Sequence, residues 1–207
     1  MTRLILVSIF VIILSCKEKQ KVSTIQHSKA TVVTHTNTSQ DRYQKYTTVF
    51  KNNPDFIATS FDFPVGKPNA KGYYNAQKFK ENNHLGDDWN GVGGGNTDMG
   101  DPIYTIANGY VSFAKDIQGG WGKVIRVIHK FKGKYYESVY AHCNSIFVKE
   151  GDLIKKGIQI GTIGNANGIY KAHLHLEIRD SIFMDIGGGY AIETGGYLDP
   201  TDFIKKN

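Results

Sequence analysis

The 207-residue chain reads as mostly β: an antiparallel β sandwich or open barrel with long loops and few helices. Three observations predict this. Short apolar runs alternate with glycine-centred turn signals between residues 103 and 168. No long stretch carries the 3.6-residue periodicity of an amphipathic helix. Tyrosine, phenylalanine and glycine are abundant, at 12, 11 and 23 copies, which suits strands joined by tight turns. The length accommodates one domain with a full-sized core, and two would be cramped.

From the N-terminus, Met1-Thr2-Arg3 is a short basic start followed by an apolar run over residues 4–14. That is the build of a secretory signal, and it falls short of the roughly 18 apolar residues a bilayer-spanning helix needs. The run ends in Ile13-Leu14-Ser15-Cys16, which resembles a bacterial lipobox. The resemblance implies that residues 1–15 are a lipoprotein signal peptide and that Cys16 takes the lipid on its thiol and new amino group. It implies a cell-envelope location, anchored to the membrane through Cys16 (the outer membrane if the cell is diderm). Lys17 follows the cysteine, so the aspartate that retains some lipoproteins at the inner membrane is absent.

Residues 16–49 are rich in Lys, Thr, Ser and Gln and hold few large apolar side chains, so they read as a flexible tether. His27 and His35 lie there as bystanders. The folded domain is expected over residues 50–207. Phe61-Asp62-Phe63-Pro64-Val65-Gly66 reads as a strand entering a turn, and residues 67–83 as a loop. Strands are expected at 103–106, 110–114, 123–131, 135–142, 146–148, 153–154 and 158–163, before a last one at 172–179.

The net charge of +6 is moderate, with scattered lysines and no basic stripe interleaved with base-stacking aromatics. Nucleic acid is therefore not implied, while a basic surface suits a polyanionic partner such as a cell wall. The two cysteines, Cys16 and Cys143, are too few for a disulfide framework.

The last strand carries the chemistry. In Ala172-His173-Leu174-His175-Leu176-Glu177-Ile178-Arg179, polar and apolar residues alternate. Leu174, Leu176 and Ile178 are expected to face a core, with His173, His175 and Glu177 on an open face. At about 3.3 Å per residue the two imidazoles stand about 6–7 Å apart, so one can bind a metal while the other stands beside the metal's water. A hydrolytic zinc ion takes three protein ligands and keeps one position open. His84, Asp88 and one of His173 or His175 would supply them. Asp87 is a rival ligand, and Asp88 can also be read as a turn aspartate after Gly86. His142, in Val139-Tyr140-Ala141-His142, is a further candidate, whereas His129 has no partner at ligand spacing and reads as structural. Glu177 is either an acceptor for an imidazole N–H or a solvated side chain.

These residues resemble the lysostaphin-type (LytM-like) zinc metallopeptidases, whose pattern is His-x-x-x-Asp, then Tyr-Ala-His, then His-x-His. Here the pattern stands as His84-Leu85-Gly86-Asp87-Asp88, Tyr140-Ala141-His142 and His173-Leu174-His175. The likeness extends over roughly residues 61–204, through Phe63-Pro64-Val65-Gly66, Ala107-Asn108-Gly109-Tyr110-Val111, the hairpin from Gly151 to Gly161, and Leu198-Asp199-Pro200. It implies one zinc ion held by His84, Asp88 and His175 in a groove, with His142 and His173 as the catalytic pair. The implied substrates are peptide cross-links of bacterial peptidoglycan. The alternative is a non-hydrolytic domain of the same fold that binds the wall or activates another hydrolase.

Two features depart from the pattern. Residues 89–101 form a glycine-rich insert directly after the metal loop, expected to shape a groove wall. Its glycine run is no phosphate loop, because no Gly-Lys-Ser/Thr follows. Cys143 stands where an aliphatic residue is more common and reads as a small core residue.

Overall fold

A two-residue turn shows how directly the sequence dictates this fold. Strands β5 (Lys123–Phe131) and β6 (Lys134–Cys143) are joined through Lys132 and Gly133, both with positive φ (48° and 80°). That is the twist a tight antiparallel hairpin requires. The computed structural model describes residues 38–207. The expected signal peptide, Cys16 and the tether up to residue 37 lie outside the described residues.

Helix α1 (Thr38–Asn52) is followed by β1 (Tyr73–Gln77), β2 (Asp87–Gly91), β3 (Pro102–Tyr104) and β4 (Gly109–Asp116). After the β5–β6 hairpin come β7 (Ser145–Ile146), β8 (Leu153–Ile154), β9 (Gln159–Thr162), β10 (Leu174–Arg179), β11 (Tyr197–Leu198) and helix α2 (Pro200–Lys206). The larger sheet runs β1-β2-β10-β6-β5-β4-β8, with β11 on β10, and the smaller runs β3-β9-β7. Every pairing between these strands is antiparallel. Ile103 and Ile160 of the smaller sheet share one buried cluster with Val111, Ile125, Tyr140, Leu174 and Leu176 of the larger one. The expected antiparallel β architecture is therefore present. No helix among the described residues is long and apolar enough to cross a membrane.

Several local expectations need correcting. Residues 61–65 form no strand, whereas Tyr73–Gln77, expected as loop, is β1 and pairs with β2. The segments at 153–154 and 158–163 do not form one hairpin, since β8 pairs with β4 and β9 with β3 and β7. Residues 38–49, assigned to the tether, are helical. Tyr46 and Phe50 of α1 are buried against Tyr110, Ile128 and Ile182, so the helix is pinned to the sheet by aromatic packing rather than by intrinsic propensity. The largest correction concerns β10, which is buried on both faces along its whole length. The side expected to be open faces a walled site.

Candidate metal centre

The centre is built on the pairing of β2 with β10, which places Asp88 directly opposite His175. This close pairing depends on Gly86, where a Cβ would lie 2.4 Å from the Leu176 carbonyl oxygen. His84 precedes β2 and forms an isolated antiparallel bridge with Tyr190. Its Nε2 lies 3.0 Å from His175 Nδ1 and 3.3 Å from Asp88 Oδ1, and His175 Nδ1 is 2.9 Å from the same oxygen.

Those separations fit a single ion. Donors about 2.0–2.1 Å from a tetrahedral zinc stand about 3.3 Å from one another. Among the described residues, His84, Asp88 and His175 form the one group of His, Cys and carboxylate donors close enough to share a metal. The chemistry of the set agrees. His175 Nε2 lies 3.2 Å from Glu177 Oε1, a bond that keeps a proton on Nε2 and directs the Nδ1 lone pair at Asp88. Lone pairs converging at 2.9–3.3 Å repel unless a proton or a cation lies between them. Burial disfavours a charged His175, yet its bonds to Asp88 and Glu177 raise its pKa to about 9. Burial likewise works against an ionised Asp88, and the bonds to His175 and His84 overcome it and hold the carboxyl well below the usual range. A divalent ion would take the proton's place, as metal binding to protonated ligands requires.

Asp87, the rival ligand, faces away. It accepts from Thr201 N, Thr201 Oγ1 and Phe79 N, tying β2 to the start of α2. His129 is structural, buried between Asn108 O and Ser138 Oγ, with burial lowering its pKa to about 4. Cys143 is a buried free thiol whose pKa burial raises to about 12.

The remaining two histidines stand beside the cluster. The ring of His142 is 4.7 Å from that of His173 and 5.6 Å from that of His175. His173 Nδ1 donates to Lys171 O at 2.8 Å, which turns Nε2 toward Asp88 Oδ1, 3.8 Å away. His142 lies at the end of β6 with φ 61°, a left-handed conformation that swings its ring out of the strand. It is 8% exposed, and burial lowers its pKa to about 3. Gly164 makes room for this arrangement. Its carbonyl accepts the His173 N–H, and a Cβ there would lie 2.3 Å from His142 O.

A groove of about 440 Å³ contains all five of these residues, His84, Asp88, His142, His173 and His175. Its walls were not readable in the sequence. The Trp121 ring lies 5.4 Å from His175 and its indole N–H donates to Gly187 O, joining two loops at the rim. Tyr170 packs 5.0 Å from His142, and Tyr190 packs 5.1 Å from His84 with its hydroxyl bonded to Gln77. A tryptophan flanked by glycines at 119–122 is the sole signal that could have marked this edge. Contrary to expectation, no residue of the insert at 89–101 lines the groove. Asn96 Oδ1 accepts from Ala172 N while Asn90 Nδ2 donates to Ala172 O, so the segment holds the start of the histidine strand.

Residues 88–192, half of the chain, match the family described as Peptidase family M23. The chain is 38% identical over 80 residues to "Lipoprotein NlpD" of Yersinia enterocolitica, covering 39% of this chain and 78% of that sequence. It is 35% identical over 80 residues to "Murein hydrolase activator NlpD" of Salmonella typhimurium, covering 39% of this chain and 20% of that one. It is 31% identical over 80 residues to "Peptidoglycan DD-endopeptidase ShyA" of Vibrio cholerae, covering 39% of this chain and 18% of that one. The chain thus matches about a fifth of the length of the last two.

Proposed function

The chain belongs to peptidase family M23, and on that premise we propose that it is a zinc-dependent endopeptidase hydrolysing peptide cross-links of bacterial peptidoglycan. The observation that carries this reading is the convergence of His84, Asp88 and His175 on one point, with His142 and His173 beside it in one groove. His84 Nε2, Asp88 Oδ1 and His175 Nδ1 would hold the ion. Bound there, zinc would supply Lewis acidity, polarising the scissile carbonyl and bringing the pKa of the attacking water to about 7.

The chain's own residues do the rest. His173, oriented by its bond to Lys171 O, presents Nε2 to accept a proton from the attacking water. His142 is held neutral by burial, and its Nδ1 has no hydrogen-bond partner among the described residues. As a neutral ring it can donate an N–H to the developing oxyanion, while His173 passes the proton taken from the water on to the leaving amine. Trp121, Tyr170 and Tyr190 exclude water and orient the peptide along the groove. A lipid anchor on Cys16 would keep the domain at the cell envelope, within reach of the wall.

A relative named as a murein hydrolase activator favours a second reading, in which the domain binds the wall without cutting it. Digestion of purified sacculi by the zinc-loaded protein, with and without a chelator, separates the two. Soluble fragments that vanish on chelation support the endopeptidase, and their masses identify the bond cut. No release by zinc-loaded protein, together with stimulation of a separate hydrolase, replaces it with the activator. Equal activity on denatured proteins removes the wall as the substrate.

A further inference from the structure

Arg179 is fully buried, and besides pairing with Glu177 and standing 3.8 Å from Glu137 of β6, its guanidinium reaches out of the sheet it grows from. Nε and Nη2 donate to Glu177 Oε2 at 2.8 and 2.5 Å, while Nη1 and Nη2 reach the carbonyls of Asp185 and Ile186 at 3.1 and 2.9 Å. The other oxygen of Glu177 takes the N–H of His175. Downstream of Ile186, Gly187 O accepts from Trp121, Gly189 O accepts from Leu85 N, and Tyr190 packs on His84. One guanidinium thus lies between a ligand of the candidate centre and the root of the groove's wall.

From this connectivity we propose that Glu177 and Arg179 are positioning residues that couple the aim of the His175 ring to the seating of the groove wall at 185–190. A carboxylate with both oxygens engaged cannot rotate without breaking a bond to either the imidazole or the guanidinium. A planar guanidinium holding Glu177 and two carbonyls fixes the loop in the same frame, and a lysine cannot span those acceptors. Burial adds to the rigidity, because either charge left unpaired there is strongly disfavoured. A plain ion pair between strands would stabilise the sheet without touching the loop carbonyls. This one holds two of them.

The part of the proposal that concerns the ion rests on the endopeptidase reading, and the part that concerns the wall does not. Two variants and two measurements separate them. Zinc affinity is measured by competition with a chromogenic chelator, and backbone order by hydrogen exchange read by mass spectrometry. Glu177→Gln is expected to weaken zinc binding about tenfold or more. Arg179→Lys is expected to weaken it similarly and to speed exchange at 185–190 at least tenfold, leaving β4 and β5 protected. Zinc affinity within twofold of wild type in Glu177→Gln overturns the proposal. So does unchanged exchange at 185–190 in Arg179→Lys, or faster exchange spread evenly across the sheet. If Arg179→Lys does not fold, the Glu177→Gln affinity decides. If the wild-type chain takes up no zinc, the endopeptidase reading fails, and exchange in Arg179→Lys still decides whether the wall is braced.

Discussion

His175 stands directly across from Asp88 on the neighbouring antiparallel strand, with Nδ1 2.9 Å from Oδ1. Because side chains alternate along a strand, a one-residue slip of β10 against β2 would turn these two groups to opposite sides of the sheet. The cluster therefore forms only in the native register, and ligand and proton-transfer positions are separable by substitution. His84→Ala is expected to lose both metal and hydrolysis of sacculi. His142→Ala is expected to keep the metal while turnover falls about 10²–10⁴-fold. Metal content by mass spectrometry and fragment release measure the two effects, and a His142→Ala protein as active as wild type would refute the assignment.

Gly164 is irreplaceable on steric grounds. A methyl group there meets His142 O at 2.3 Å and Asn144 N at 2.4 Å, both backbone atoms that cannot rotate away. Gly164→Ala is expected to destabilise the fold by about 1–3 kcal/mol or more and to part the His142 and His173 rings. Urea unfolding gives the first effect and turnover of the folded fraction the second.

The insert acts from a distance. Removing the Asn96 side chain leaves the amide of Ala172, two residues before β10, without its acceptor, a cost of about 1–3 kcal/mol. Asn96→Ala is expected to lower kcat severalfold with zinc content unchanged, because it loosens the residue before His173. If the insert were a substrate wall instead, KM would rise and kcat would hold.

Helix α1 is structural in the same sense as the sheet. Phe50 is 0% exposed, and Phe50→Ala is expected to cost about 3–5 kcal/mol, lowering Tm on the order of 10 °C. A thermal melt unchanged from wild type would return residues 38–49 to the tether.

His129 gives the stability a pH dependence of known sign. Its folded pKa is about 4 against 6.5 for the free group, so between those values the unfolded chain binds the proton and the folded chain does not. The contribution is complete above pH 6.5, declines as pH falls toward 4, and is constant below; the full difference is about 3 kcal/mol. His129→Gln is expected to lose less stability than wild type on going from pH 7 to pH 4.5. Equal losses in urea unfolding would remove His129 as the cause.

Much of the centre was legible because its residues sit in short motifs whose chemistry is explicit. His84, Asp88, His142, His173 and His175 were named from sequence and converge on one groove. What escaped has physical reasons. β10 looked half-exposed because alternation reports polarity, and a polar face can be buried when, like Glu177 and Arg179, it carries its own partners. Helix α1 looked like tether because its surface is polar. Tyr43, Tyr46 and Phe50 recur at three- and four-residue spacing, a stripe too narrow to stand out by composition. Beyond the glycine-flanked Trp121 the aromatic rim has no local pattern, since Trp121, Tyr170 and Tyr190 come together through loops far apart in the chain.

The chain has two tryptophans, and the fold gives them opposite surroundings. Trp89 is sealed in the interior against Phe63, while Trp121 sits at the mouth of the groove within 5.4 Å of His175. Light emitted by the first is steady background. The second is a built-in optical gauge whose colour and brightness would change if a peptide or an ion settled beside it, so the proposed occupancy can be followed in real time with no label attached.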